Sequence, residues 1–312
     1  MSNQSFPTFT DISTLGEFGL IKELTKNNAS KHHNTVKSIG DDAAVIGTDD
    51  EAMVISTDML VEGIHFDLMY TPLKHLGYKS VVVNLSDIYA MNAVPTHITV
   101  SVAISSKYSL EAMQEFYDGI YTACKMYNID LVGGDTTSSP KGMIISITAV
   151  GQAKKDKIVY RSGAKKGDIL CVTGDLGAAY LGLQILEREK QVYLAHPGVQ
   201  PELDKSQYLI ERQLKPEAQR GAIEYFKREK IVPTSMIDVS DGLASELLHI
   251  CNQSDVGAFI EEGKVPIHPD SELAALEFKL DPITCALHGG EDYELLFTID
   301  EKDLEKIRFM PE

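Results

Sequence analysis

Short apolar runs alternate with polar, turn-forming segments along the chain, and the period within the runs changes from place to place. Residues 110–127 carry Met113, Phe116, Ile120 and Cys124 on one stripe, the spacing of an amphipathic helix. The same reading predicts helices over 18–25, 73–91, 176–189, 218–228 and 243–252, with Asn92 and Pro95 ending the second. Residues 98–104 alternate as a strand, and strands are also predicted over 43–46, 53–57, 129–132, 143–151, 169–173, 235–239, 257–261 and 293–299. No fixed internal repeat or heptad pattern interrupts this rhythm, which is that of strands and helices in turn. After Gly151 the texture changes: QAKKDKIVYRSGAKKGD is basic and turn-rich. A boundary there gives an N-terminal α/β domain over 1–151 and a C-terminal α+β domain over 152–312, in keeping with roughly 100–200 residues per domain. A helix starts near Lys302, and a strand would naturally follow it, so the pattern also leads one to expect a chain truncated at Glu312.

Composition narrows the partners. With 43% hydrophobic and 24% charged residues there is ample material for a core. Asp and Glu number 46 against 29 Lys and Arg, a formal charge of −17, which disfavours nucleic acid and anionic lipid as partners. No run approaches the roughly 18 apolar residues of a membrane span. The opening MSNQSFPTFTDIS has neither a basic start nor an apolar stretch, so no secretory signal is expected. Cys124, Cys171, Cys251 and Cys285 form no CxxC pair, which argues for reduced thiols and a cytoplasmic location over a zinc site or redox dithiol. His32-His33 sits in the polar stretch KHHNT and reads as a solvated loop.

The aspartates are where chemistry concentrates. They recur in short Gly- or Ser-bearing segments: Gly40-Asp41-Asp42-Ala43, Ser56-Thr57-Asp58, Asn84-Leu85-Ser86-Asp87, Gly133-Gly134-Asp135-Thr136-Thr137 and Asp238-Val239-Ser240-Asp241-Gly242, with Gly289-Gly290-Glu291-Asp292 as a sixth. Taken singly, each reads first as a helix cap or a turn at a strand end. Together they predict a site, because gathered carboxylates stay ionised only when cations neutralise them. Oxygen ligands select Mg²⁺ or Ca²⁺ over zinc, and Mg²⁺ prefers a few carboxylates plus phosphate oxygens. Asn84 and Asp87 share a helix face, which fits either this site or a solvent-facing strip. Arg161, in the basic island, is a candidate phosphate grip through a bidentate contact. There is no P-loop, kinase-loop, dinucleotide-binding or nucleophile-elbow pattern, so a phosphotransferase built on this chain relies on metal ions as its phosphate clamp.

In order along the chain, Gly40-Asp41-Asp42-Ala43-Ala44-Val45, ISTDMLVEGIHF from Ile55 to Phe66, Val83-Asn84-Leu85-Ser86-Asp87-Ile88, Gly133-Gly134-Asp135-Thr136-Thr137, Arg161-Ser162-Gly163-Ala164, Asp238-Val239-Ser240-Asp241-Gly242-Leu243 and Gly289-Gly290-Glu291-Asp292-Tyr293-Glu294-Leu295 resemble the thiamine-monophosphate kinase family. That family lies in the aminoimidazole-ribonucleotide synthetase-like superfamily, whose fold class is α/β (α+β) with two domains. The resemblance implies ATP- and Mg²⁺-dependent phosphorylation of thiamine monophosphate to thiamine diphosphate, by direct transfer of the γ-phosphoryl group. It also implies a homodimer built through the N-terminal domains, with ATP near the interface. Asp42, Ser56, Thr57, Asp58, Asp87, Asp135 and Asp238 match Mg²⁺ positions, with Asp241 a further one. Gly134, Asp135 and Arg161 match the ATP phosphate and ribose region, Ser240 and Tyr117 further ATP contacts, and His65 and Glu291 contacts to thiamine. Asp41 is expected to support or cap its neighbour Asp42. A substrate-stacking aromatic residue near the family's C-terminus has no counterpart, and the chain contains no Trp.

Two other readings compete. The sister enzymes of the superfamily use a reactive cysteine near the N-terminus or at the extreme C-terminus, or lack the wording around His65 and Glu291; the first and last cysteines here are Cys124 and Cys285. The second is a non-catalytic nucleotide- and metal-binding dimer on the same scaffold. On the kinase reading no general base is needed, since the acceptor is already an ionised phosphate oxygen. That accounts for motifs rich in Asp and poor in bases.

Overall fold

The fold is taken from a computed structural model, which describes residues 11–47, 50–308 and 310. The residues opening the chain, on which the expectation about a secretory signal rests, lie outside that range. Helix α1 (Gly16–Thr25) leads into strands β1 (Thr35–Lys37), β2 (Ala44–Gly47) and β3 (Glu51–Val61). Then come α2 (Leu73–Ala90), β4 (Val94–Ile104), α3 (Leu110–Tyr127), β5 (Asp130–Ser138) and β6 (Ile144–Lys154). The strands form one six-stranded sheet in the order β1-β2-β3-β6-β4-β5, antiparallel throughout except for the parallel β4–β5 pair.

Helix α2 lies on one face of this sheet and is apolar nearly all round. Val81, Val82, Leu85 and Ile88 have no exposure, which is the signature of a helix buried between layers. Helix α3 packs against it, and two glycines set the distance. A Cβ on Gly77 would sit 1.9 Å from the Phe116 carbonyl oxygen, and one on Gly119 would sit 2.0 Å from that of Lys74. Among the described residues no helix lies over the opposite face of the sheet. Met53 and Met59 on β3 are 43% and 58% exposed, with Val94 on β4 at 52%.

The rest of the chain supplies β7 (Ile169–Val172), α4 (Ala178–Ala195), α5 (Gln207–Leu214), α6 (Arg220–Glu229), β8 (Ser235–Asp238) and α7 (Leu243–Ser254). It ends with α8 (Pro269–Glu277), α9 (Pro282–His288), β9 (Leu295–Ile299) and the short α10 (Leu304–Ile307). Its three strands form an antiparallel sheet in the order β7-β9-β8. One apolar core continues from α2 and α3 into this half: Leu85, Ile88 and Tyr127 share a cluster with Ile223, Phe226, Met236 and Phe297. Among the described residues no helix is long and apolar enough to cross a membrane.

Several expected elements are revised. Residues 257–261 are not a strand; Ile260 packs into a satellite core, but Phe259 is 85% exposed and no ladder partner is offered. Helices α5, α8 and α9 were absent from the hydrophobic pattern because each is short. Yet α8 and α9 open with Pro269 and Pro282 behind the capping residues His268 and Asp281. Strand β6 runs on to Lys154, past the boundary drawn at Gly151. Two aspartate segments expected at strand ends lie inside strands: Ser56-Thr57-Asp58 in β3, and Gly133-Gly134-Asp135-Thr136-Thr137 in β5.

Candidate active site

Alternation along β3 places Ser56 and Asp58 on the face that α2 covers. The Ser56 hydroxyl donates to Asp87 on α2, and the Asp58 backbone N–H donates to Asn84 Oδ1 at 2.9 Å. Asn84 in turn donates to the Ser80 carbonyl at 3.0 Å and is 1% exposed. It is therefore neither a ligand nor part of a solvent-facing strip. It splices helix to strand and fixes Asp87 against Asp58. Thr57 lines the same pocket, but its hydroxyl donates to the Ile147 carbonyl on the adjacent strand at 3.0 Å.

Three further arms come from a turn, a strand end and a loop. The turn before β2 carries Asp42, β8 ends at Asp238, and Ser240 and Asp241 lead into α7. One carboxylate oxygen from each of Asp42, Asp87 and Asp238 lies within 4.8 Å of the other two. Arg161 reaches in from the basic segment and donates Nε (3.1 Å) and Nη2 (2.6 Å) to Asp42 Oδ1. The Arg161 backbone N–H is held at 3.0 Å by Asp41, whose other oxygen meets Lys37 Nζ at 3.0 Å. Two of the guanidinium donors thus grip a protein carboxylate of the cradle. Asp42 Oδ2 is buried with no hydrogen-bond partner among the described residues.

This crowding has a titration signature. Burial pushes Asp42 up to about 7 against the pull of Arg161, and lifts Asp58 and Asp238 to about 6. Asp87 is raised well above the usual carboxylate range by burial and then by Asp58, Asp238 and Asp42. Glu246, in the first turn of α7, rises to about 8 for the same reason; its Oε1 accepts the Asp241 N–H at 3.1 Å. One arginine does not neutralise such a set, so the cradle holds more negative charge than its own residues can compensate. An orphaned buried oxygen and an all-oxygen donor set fit a hard divalent cation such as Mg²⁺.

The cradle is a cavity of about 390 Å³, lined by Asp42, Ser56, Asp58, Asp87, Asp238 and Asp241, with Arg161, Ser240 and His65 on its walls. His65 also borders a second cavity, of about 350 Å³, with Glu291, Tyr70, Tyr180 and Lys190. A smaller cavity of about 160 Å³ shares Asp58, Asp87, Asp238, Ser240 and His65 with the cradle, and His65 and Glu291 with the second cavity. His65 Nδ1 accepts the Val61 N–H at 3.0 Å, which leaves Nε2 as the donor nitrogen of the neutral ring. A wider groove of about 710 Å³ between β7 and α7 contains none of the clustered carboxylates. Donor chemistry, rather than volume, marks the site.

Three expected residues are not brought to this cradle. Gly134 pairs with Val100, Val100 with Ile147, and Ile147 with Asp58. Three strand spacings therefore separate Gly134 from Asp58, about 14 Å at ~4.8 Å each. Asp135, the next residue, projects from the opposite, uncovered face and is exposed. Tyr117 is half-buried on α3, edge-on to Phe116 at 5.7 Å. Within one chain none of the three lines the cradle. Conversely, Glu246, His249 and Phe18 line the cradle and went unnoticed in the sequence. For Glu246 a signal existed, since DGLASE places a carboxylate in the first turn of the helix after Asp241.

The sheet, the buried α2 and the acidic cradle between them define a class. Residues 40–153 match the family model "AIR synthase related protein, N-terminal domain". Within that class, the thiamine-monophosphate kinase of Buchnera aphidicola subsp. Schizaphis graminum is 38% identical over 293 residues, 93% of this chain and 85% of that protein. The thiamine-monophosphate kinase of Bacillus subtilis is 35% identical over 299 residues, 94% and 86% of the two chains. The solved structure described as "AaThiL complexed with AMPPCP and TMP" superposes with a TM-score of 0.83 at 32% identity, covering 95% of this chain and 89% of that one. The chain belongs to the thiamine-monophosphate kinase family.

Proposed function

We propose that this protein transfers the γ-phosphoryl group of ATP directly to thiamine monophosphate, giving ADP and thiamine diphosphate, the last step of thiamine diphosphate biosynthesis. The observation that carries the reading is the meeting of Asp42, Asp87 and Asp238 within 4.8 Å, with one buried oxygen unpartnered, beside a second cavity reached past His65 and Glu291. Asp42, Asp58, Asp87 and Asp238 are the residues that would hold Mg²⁺, with Asp241 at the rim. When bound, the cations offset repulsion between two phosphate anions, which for unit charges at 4 Å is about 4 kcal/mol at an effective dielectric of 20.

The chain's own residues do the rest. Arg161 holds Asp42 by one oxygen; the other is buried with no hydrogen-bond partner among the described residues. The Asn84 splice fixes β3 to α2, so the acidic groups need no rearrangement before reaction. His65, with Nε2 as its donor nitrogen, orients the acceptor phosphate and takes no proton from it. In the second cavity Tyr70, Tyr180 and the carboxylates of Asp67, Glu187 and Glu291 suit the cationic, aromatic body of thiamine.

The protein acts as a homodimer in the cytoplasm. The uncovered sheet face, with Met53, Met59 and Val94, offers an apolar surface to a second copy, and all four cysteines are free thiols. Asp135 projects from that face, three strands away from β3, so a nucleotide role for it requires the dimer. Incubation with ATP, Mg²⁺ and thiamine monophosphate tests the reading. Stoichiometric ADP and thiamine diphosphate are expected; ATP binding without turnover would favour the non-catalytic alternative.

A further inference from the structure

Lys79 is a charged residue in the middle of the apolar helix α2, and its side chain is 5% exposed. A lysine that far inside keeps its charge only with partners, since an unpaired buried ammonium is costly. It has two. Nζ donates to the Gln213 carbonyl at the end of α5 at 2.7 Å, and to Glu291 Oε2 at 3.1 Å. Gln213 Nε2 donates to the same oxygen at 2.7 Å. Among the described residues no donor reaches Oε1, so one carboxylate oxygen is clamped and the other is left over.

The backbone of Glu291 is equally constrained. It sits at φ +68°, a left-handed conformation uncommon for a non-glycine residue, and its N–H donates to the Ser240 carbonyl at 2.8 Å. Glu291 is thus tied by its main chain to the rim of the cradle and by its side chain to α2. Lys79, Val83 and Asp87 follow one another at four-residue spacing, so one stripe of α2 runs from the clamp to the cradle. At 1.5 Å per residue that stripe is about 12 Å long. The same helix that positions an acidic ligand at one end positions Glu291 at the other.

Resting on the reading that the Glu291 cavity receives the acceptor, we propose that Lys79 is a positioning residue for acceptor recognition. It holds Glu291 by Oε2 so that Oε1 is presented to the acceptor, and it acts on the acceptor only through Glu291. A lysine that merely stapled α2 to α5 would need only the Gln213 carbonyl, and its loss would affect both substrates alike.

Steady-state kinetics of the full chain with Mg²⁺, ATP and thiamine monophosphate separate the two roles. Lys79→Gln keeps a donor for the Gln213 carbonyl but removes the charge. Its KM for thiamine monophosphate is expected to rise about tenfold or more, with the KM for ATP changed by less than about twofold. Lys79→Arg restores part of the loss, and in a Glu291→Gln background Lys79→Gln adds nothing further. An unchanged acceptor KM, an equal rise in both KM values, or an additive loss in the double variant overturns the inference. Should Lys79→Gln fail to fold, Gln213→Leu, which removes the second donor to Oε2, carries the same expectation and the same refutation. Failure of the unaltered chain to form thiamine diphosphate would overturn the functional reading itself. Turnover that is indifferent to these variants would overturn the Lys79 assignment alone.

Discussion

The two neighbouring cavities are both rich in carboxylates and treat them in opposite ways. In the cradle, Asp42, Asp58, Asp87 and Asp238 have one guanidinium among them and are pushed toward the neutral form by burial. In the second cavity each carboxylate has its own partner: Asp67 meets Lys190 at 2.8 Å, Glu187 accepts the Tyr70 hydroxyl at 2.7 Å, and Glu291 meets Lys79 at 3.1 Å. Hydrogen bonds accordingly hold Asp67 below the usual carboxylate range despite its partial burial. An uncompensated cluster is a place for cations supplied from outside. A compensated one can shape a pocket for an organic body without binding metal. The division of labour is thus written in which charges the protein has left unbalanced.

The largest effect that would test this contrast is on turnover. Asp87→Asn should leave the fold intact and lower kcat by about 100-fold or more, because it removes charge at the centre of the cradle. Its metal-free melting temperature should be no lower than that of the unaltered protein, since a strained buried acid is gone. Near-normal turnover at saturating Mg²⁺ would remove Asp87 from the site.

A smaller effect appears in stability against pH. In the metal-free protein the cradle acids titrate at about 6 to 7, above their unfolded value of 3.8. A raised folded pKa means that the folded state binds protons more tightly, so stability present at low pH is lost as pH rises through about 6 to 7. Lowering the pH from about 7.5 to 5.5 should therefore raise the melting temperature, by an amount equivalent to about 1–3 kcal/mol. Mg²⁺ should flatten that slope by taking the place of the protons. Melting curves with Mg²⁺ and with a chelator decide it; a slope unaffected by Mg²⁺ would mean the acids are not metal ligands.

The smallest belongs to the second cavity. Tyr70→Phe removes one hydrogen bond to Glu187, worth about 1 kcal/mol, and should raise the KM for thiamine monophosphate about fivefold. The Mg²⁺ dependence should stay as it was. A change in Mg²⁺ dependence instead would erase the distinction between the two cavities.

Much of the site was legible from residue order because its motifs are local. Asp42, Asp58, Asp87 and Asp238 were each singled out, and they meet. What was misjudged depends on the third dimension. Asn84 looked equally suited to solvent until β3 was seen to present a backbone N–H to it. Arg161 was singled out for phosphate alone; that the Asp41–Asp42 turn holds both its backbone and its guanidinium became visible only in the fold. Lys79 was overlooked because a lone lysine in an apolar run carries no pattern; its meaning lies in Gln213 and Glu291, far along the chain. Asp135 has a motif as clear as the others, yet β6 and β4 stand between its strand and β3.

The sequence by itself determined the inventory: which segments are apolar enough to form strands and helices, and which short motifs carry carboxylates, because both follow from neighbours within a few residues. Only the tertiary structure decided which of those carboxylates share a space and which are balanced by a cation. Electrostatic free energy depends on distances across the fold and on exclusion of water, and neither is encoded at any fixed spacing along the chain.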